Sequence, residues 1–382
     1  MTRRPRSNSP TCNEHDEQRA RGTTAAWPPA LGHVDAPRTD GGVHTAVGDI
    51  PRVRTSLSAR DHFGSVKVRW GIGRMNYSVA PGLYAMGDPS AESPVLVSAN
   101  YKMSFDRLRS ALPRRDAWIM VLDTEGINVW CAAGKGTFGT NEIVRRVQST
   151  ALDQIVSHRT LVVPQLGAPG VSAHAVRRSC GFRVVYGPVR AEDLPAFLDA
   201  GLKAQPEMRR VRFDLGDRAV LIPVEIVTGG KYALLVAAAL LLLGGLSSGG
   251  YSLASVWTSG LAGAGLVLGA FLCSAVLGPV LLPWLPGRAF SVKGAVLGLV
   301  LIGTLTVSSG LTGSWLHIAA WAFMVPTIAS FVVMNFTGAS TYTSLSGVLR
   351  EMRFAVPVQI TGAVVGFGLW LTGLFITGGP GT

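Results

Sequence analysis

The residue types best suited to chemistry cluster in one stretch, Gly126-Ile-Asn-Val-Trp-Cys131-Ala-Ala-Gly-Lys135-Gly-Thr-Phe-Gly139-Thr-Asn-Glu142. Cys131 stands among small neighbours, Ala132, Ala133 and Gly134, and Lys135 offers positive charge to an anionic sulfur. Small side chains let a large flat ligand come close, and glycines let the backbone do the same. Gly134-x-Gly136-x-x-Gly139 also matches a dinucleotide fingerprint, a weak pattern when it occurs alone. A P-loop is excluded, because Gly136 rather than Ser or Thr follows Lys135 and Val129 stands where the first glycine belongs. Spacing alone leaves open the plainer reading of Cys131 as a small buried hydrophobe. The other cysteines, Cys12, Cys180 and Cys273, are far away, which argues against a zinc ribbon, a self-contained iron–sulfur cluster or a disulfide framework.

The elements around this stretch read as α/β. Runs at Pro94–Ser98, Trp118–Leu122, Leu161–Pro164 and Arg183–Tyr186 have the composition of short buried strands. They alternate with helix-like segments at Ser104–Leu112, Asn141–Ala151, Val171–Ser179 and Ala191–Leu202. Gly181 sits where a helix C-terminal glycine belongs. The alternation predicts a largely parallel sheet flanked by helices, with ligands at the carboxyl ends of its strands. Residues 1–52 are rich in Arg, Pro, Thr and Gly without hydrophobic periodicity and read as a disordered tail. No apolar run follows the first arginines, so no secretory signal peptide is expected.

Charge divides the rest. Only 15% of the 382 residues are charged, against about 25% in ordinary soluble domains. Beyond Lys231 the acidic and basic residues are Arg288, Lys293, Arg350, Glu351 and Arg353 alone. Residues 53–230 therefore read as a polar domain and 231–382 as a membrane domain. Its apolar spans are Tyr232–Leu246, Ser259–Leu282, Gly294–Leu311, Trp315–Met334 and Val356–Thr377. Placing the polar domain in the cytoplasm puts every one of these basic residues, Lys231 included, on the inner side, and leaves the loops near Gly249 and Thr312 without Lys or Arg. Small residues at Gly260, Gly263, Gly265 and Gly269 fit close helix packing, and the lone span histidine, His317, reads as interfacial. The net charge of +12 is scattered rather than striped, which disfavours nucleic acid and suits an anionic lipid surface. Spans without Asp, Glu, Lys or Arg also weaken a transporter reading.

Asn128-Val129-Trp130-Cys131-Ala132-Ala133-Gly134-Lys135 resembles the signature of the corrinoid protein of the microbial mercury-methylation pair, the HgcA family. That family is itself related to the corrinoid domain of the corrinoid iron–sulfur protein. The likeness continues through Tyr77–Tyr84, Ser93–Lys102, Pro164–Gly170 and Asn335–Gly347 with Glu351 and Met352, spanning about Arg52 to Thr377. It implies a Rossmann-like corrinoid-binding domain followed by an all-α transmembrane domain of about five helices.

By the same resemblance, Cys131 would be the catalytic lower axial ligand of cobalt, with the cofactor bound base-off. Asn128, Val129, Trp130, Ala132, Ala133, Gly134 and Lys135 would hold that ligand against the corrin ring, with Thr137, Asn141 and Gly167 as weaker contacts. A thiolate donor pushes electron density to the opposite face, by the axial-ligand logic of haem. A methyl group there could leave as a carbanion equivalent to Hg(II), forming methylmercury. The cobalt would then need electrons. With no cluster expected in this chain, the implied donor is a ferredoxin-like protein with two [4Fe–4S] clusters. The implied methyl donor is a methylated folate or its protein carrier, and the implied location the cytoplasmic membrane. Two other readings stay open: a corrinoid methyl carrier for another acceptor in one-carbon metabolism, and a membrane transporter with a nucleotide-binding regulatory domain.

Overall fold

The computed structural model describes residues 39–308, 314–339 and 345–376. Cys12 and the tail to residue 38, the loop about Thr312, residues 340–344 of the quoted Asn335–Gly347 stretch, and 377–382 lie outside the described residues. The chain forms two compact units. One joins the segment up to Thr55 to Ser78–Tyr186; the other joins Ser56–Tyr77 to Gly187–Thr382. The sequence boundary near residue 230 thus differs from the structural one, because 187–230 packs with the helices that follow it.

The first unit holds a mixed seven-stranded sheet: β1 (Thr39–Thr45), β2 (Gly48–Val53), β3 (Gly82–Met86), β4 (Val95–Ala99), β5 (Ala117–Leu122), β6 (Thr160–Val163) and β7 (Arg183–Tyr186). Their spatial order is β1-β2-β3-β5-β4-β6-β7. The run β5-β4-β6-β7 is parallel, as the sequence predicted, while β3 lies antiparallel to β5. Residues of β3, β4 and β5 are buried throughout, as strands covered on both faces must be. Residues 39–52 are not part of a disordered tail. They form a hairpin whose second strand pairs with β3. Its outer strand is an exposed edge, which needs no apolar periodicity.

Helix α1 (Ala59–Arg69) belongs to the second unit. In the first, α2 (Lys102–Ser110) follows β4, α3 (Val129–Lys135) and α4 (Thr140–Ser149) follow β5, and α5 (Ala173–Cys180) follows β6. Gly181 ends α5 with φ 79°, as expected of a C-terminal glycine. The chain leaves β4 towards β5 but leaves β6 towards β7 on the other side. The carboxyl ends of neighbouring β4 and β6 therefore flank a topological switch point, where open α/β sheets bind ligands.

The second unit contains five helices long and apolar enough to cross a membrane, at Leu215–Leu243, Leu253–Leu281, Phe290–Ser308, Trp315–Phe336 and Gly347–Ile376. They include α6 (Ile222–Leu243), α7 (Leu261–Leu281), α8 (Phe290–Ser308), α9 (Trp315–Ala339) and α10 (Leu345–Ile376). Several run past the hydropathic stretch into charged residues, and those charges serve the helix ends. Glu351 Oε1 accepts from the Ser291 N–H at 2.6 Å, and Lys293 Nζ donates to the Leu282 and Leu285 carbonyls at 2.6 and 2.8 Å. Close helix contact falls at Gly260, against the backbone of Leu241 and Gly244, and at Gly298, against that of Pro326; Gly263 meets the Trp370 and Trp321 rings, while Gly265 and Gly269 face open space.

Candidate functional site

Asn128 begins α3 as its N-cap, its Oδ1 accepting from the Cys131 N–H at 2.9 Å. Gly136, at φ 87°, ends the helix after seven residues. Helical spacing then sorts the octapeptide into two stripes. Val129, Ala132 and Ala133 point into the core, whereas Cys131 is half-buried with a free thiol and Gly134 and Lys135 are exposed. Ala132 and Ala133 thus lie in the core cluster. The turn after β6 lies on them. A Cβ on Gly170 would collide with the Phe138 carbonyl and stand 3.1 Å from Ala133 Cα. Gly167 is buried against the Phe138 ring and is likewise a packing residue.

Gly134 differs, with nothing within 4 Å of the position a side chain would take. It opens space one turn from the sulfur. Thr137 Oγ1, in the turn between α3 and α4, is buried without a hydrogen-bond partner. Such a group costs about 1–3 kcal/mol unless something donates to or accepts from it. Trp130 is half-buried and Asn141 exposed on the first turn of α4. Gly134 lies within α3 and Gly136 and Gly139 come after it, so the three do not join strand directly to helix as a dinucleotide turn does.

Sequence reasoning missed the residue that fixes this loop. Asn100, just past β4 and 6% exposed, reaches across to the end of β5. Its Oδ1 accepts from the Thr124 N–H at 3.1 Å and the Gly126 N–H at 3.0 Å, and its Nδ2 donates to Asp123 Oδ1 at 3.3 Å. The loop so held contains Glu125 at φ 57° followed by Gly126 at φ 72°, a left-handed pair that is strained at the glutamate. Glu142 adds a second tie, its Oε1 accepting from the Asp123 N–H at 2.9 Å. Burial pushes the Glu142 carboxyl up, but that N–H with Arg146 and Arg145 outweighs it and holds the pKa below the ordinary carboxylate value. The only signal in the sequence was position: Asn100 directly follows a fully buried strand.

The family model of the CO dehydrogenase/acetyl-CoA synthase delta subunit matches residues 72–198. Cys131 and its whole surround lie within that stretch. The acetyl-CoA decarbonylase/synthase complex subunit gamma of Methanopyrus kandleri is 32% identical over 123 residues, 32% of this chain and 26% of the relative. The corresponding subunit of Archaeoglobus fulgidus is 29% identical over 128 residues, 33% of this chain and 27% of its own. That of Methanothermobacter thermautotrophicus is 28% identical over 128 residues, 33% and 28% respectively. The matched part spans about a quarter of the length of these relatives.

Proposed function

We propose that this chain is a membrane-anchored corrinoid protein that transfers a methyl group to Hg(II), with the Cys131 thiolate as lower axial ligand of the cobalt. The observation that carries this reading is the half-buried Cys131 on the outward stripe of α3, inside the stretch that matches the CO dehydrogenase/acetyl-CoA synthase delta subunit family. The residues fit a large flat ligand edged with polar groups. Gly134 leaves room beside the sulfur, and Thr137 Oγ1 is a buried hydroxyl in need of a partner. Trp130, Lys135 and Asn141 are accessible to such a ligand. The Rossmann-like character rests on the parallel run and its switch point.

A bound corrinoid would supply a methyl–cobalt bond whose carbon can depart with its electron pair. The protein's part is to present one anionic sulfur at a fixed place. Asn128 fixes the first turn of α3, Asn100 fixes the strained loop before it, and Gly170 against Ala133 backs the helix from behind. Such preorganisation would hold the donor sulfur in place for a bound group. Hg(II), a soft acceptor, is the substrate in this reading. Electrons come from a ferredoxin-like partner with two [4Fe–4S] clusters, and the methyl group from a methylated folate or its carrier protein. The five apolar helices anchor the chain in the cytoplasmic membrane, with the sheet unit on the cytoplasmic side where the basic residues fall.

Likeness to acetyl-CoA decarbonylase/synthase subunits favours one second reading, a methyl carrier for another acceptor. Full-length protein produced with cobalamin supplied should purify with a corrinoid absorbance spectrum that Cys131→Ala removes. Cobalt-free protein overturns both readings. Methylmercury formation with the ferredoxin partner and a low-potential reductant separates them: a cobalt-loaded protein that forms none overturns the mercury assignment alone.

A further inference from the structure

The connection between β2 and β3 has an apolar face that the fold does not cover. Helix α1 is capped by a reciprocal box in which Ser58 N–H donates to Asp61 Oδ2 at 2.9 Å and Ser58 Oγ accepts from the Asp61 N–H at 3.3 Å. Its inner face carries Asp61, Gly64 and Val68. The Tyr77 hydroxyl donates to the Asp61 carbonyl at 3.4 Å, a Cβ on Gly64 would be 2.7 Å from that hydroxyl, and Val68 is 2% exposed. The outer face repeats at helical spacing with Phe63 66%, Val66 49% and Trp70 44% exposed, and beyond the helix Ile72 and Met75 are 57% and 71% exposed. Scattered single apolar residues are ordinary on a surface, but a contiguous set is not.

Two observations say what covers it. The first is charge. Arg60, Lys67, Arg69 and Arg74 punctuate the segment, and its single acid, Asp61, is buried in the cap. The Lys67 ammonium stands 6.0 Å from the Phe63 ring centroid, its stem running along the apolar stripe. The second is continuity with a span. A Cβ on Gly71 would stand 3.1 Å from Val227 Cγ1 on α6. Val227 precedes Lys231 and Tyr232, where the apolar stretch of that helix starts, by about one helical turn, roughly 6 Å. The Lys231 ammonium lies 4.8 Å over the Tyr232 ring, a cation–aromatic pair of the sort that marks a membrane–water boundary. Gly71, between Trp70 and Ile72, therefore packs beside the polar end of that helix, just ahead of its apolar stretch.

We propose that Ala59–Asn76 is an interfacial segment, its Phe63–Val66–Trp70 stripe with Ile72 and Met75 seated in the headgroup region of an anionic bilayer and its arginines and lysine on the lipid phosphates. This rests on the reading that the apolar helices cross a membrane. Interfacial helices bind through a buried apolar face plus attraction of flanking cations to anionic lipid.

The test uses the full chain in vesicles of phosphatidylcholine alone or with one part in four phosphatidylglycerol. The photoreactive p-benzoylphenylalanine is placed at Phe63, at Met75, or at Leu235 on the exposed face of α6. Irradiation should yield lipid adducts at all three positions. The yield at Phe63 and Met75 should rise at least threefold in the anionic vesicles, while Leu235 is indifferent. Lys67→Glu with Arg74→Glu should bring that ratio close to one without moving the thermal midpoint. Lipid adducts at Leu235 but none at Phe63 or Met75 overturn the proposal and leave the membrane reading standing. No adduct at any position overturns both. Cross-linked dimers in place of lipid adducts at Phe63 assign the face to a second copy and overturn the proposal.

Discussion

Replacing Asn100 by alanine tests whether the site is held from a strand away. Thr124 Oγ1 lies 2.7 Å from Asn100 Oδ1 and 2.8 Å from the Ile127 carbonyl. Its single proton can serve either acceptor, so it survives the substitution by donating to Ile127. The N–H groups of Thr124 and Gly126 both donate to Asn100 Oδ1, and Thr124 is fully buried. Leaving two backbone donors unsatisfied costs about 1–3 kcal/mol each, and shared relaxation brings the sum to about 2–4 kcal/mol. If the loss is local, amide exchange across residues 123–131 should accelerate by about 30- to 1000-fold, at 1.4 kcal/mol per decade. Hydrogen–deuterium exchange mass spectrometry on the detergent-solubilised chain reads this directly. Asn100→Asp is the sharper companion. It keeps the acceptor but sets a second carboxylate beside Asp123, at a contact now 3.3 Å long, so its protection should fall between that of the parent and that of Asn100→Ala. Exchange in Asn100→Ala within threefold of the parent would refute the reasoning.

Gly134→Ala and Gly170→Ala should part company. The first adds a methyl in open space within a helix and should hold or raise the thermal midpoint, by up to about 1 kcal/mol in stability, while weakening corrinoid retention; the second collides with the Phe138 carbonyl and should lower the midpoint by several degrees. Glu142 is held below its ordinary pKa in the folded chain. Its contribution is therefore complete above the unfolded carboxylate range and is lost as pH falls through the folded value, so Glu142→Gln should flatten the acid limb of a stability–pH curve. Among the helices, Glu351→Ala strips the Ser291 N–H of its acceptor and should cost about 1–2 kcal/mol in detergent thermal scans, with Glu351→Gln recovering part of it. Cys180→Ala, half-buried on α5, should leave cobalt content unchanged where Cys131→Ala removes it.

What the sequence disclosed, and what it hid, follows from where each signal is written. Strands β4 and β5 were legible because burial on both faces demands nearly continuous apolar runs, and β6 and β7 because each carries a Val-Val pair. Strand β3 was not, because it opens with Gly82 straight after Pro81, residues that read as a turn. Helix α1 escaped because its inner face is built from Asp61, Gly64 and Val68 against Tyr77, which leaves no apolar stripe towards the core; the stripe it does have points outward. The site divides in the same way. Cys131 could be singled out, since its neighbours are local in sequence. Whether Ala132 and Ala133 faced a ligand or the core could not be decided by composition, because small residues suit both; the phase of α3 decides it, and that phase is set by the Asn128 cap. Asn100 was invisible for a stronger reason. Its partners lie more than twenty residues away and include two backbone amides, which have the same chemistry at every position. A side chain whose task is to satisfy a distant main chain leaves no pattern of its own, so positioning residues of this kind emerge only once the strands that bring them together are placed.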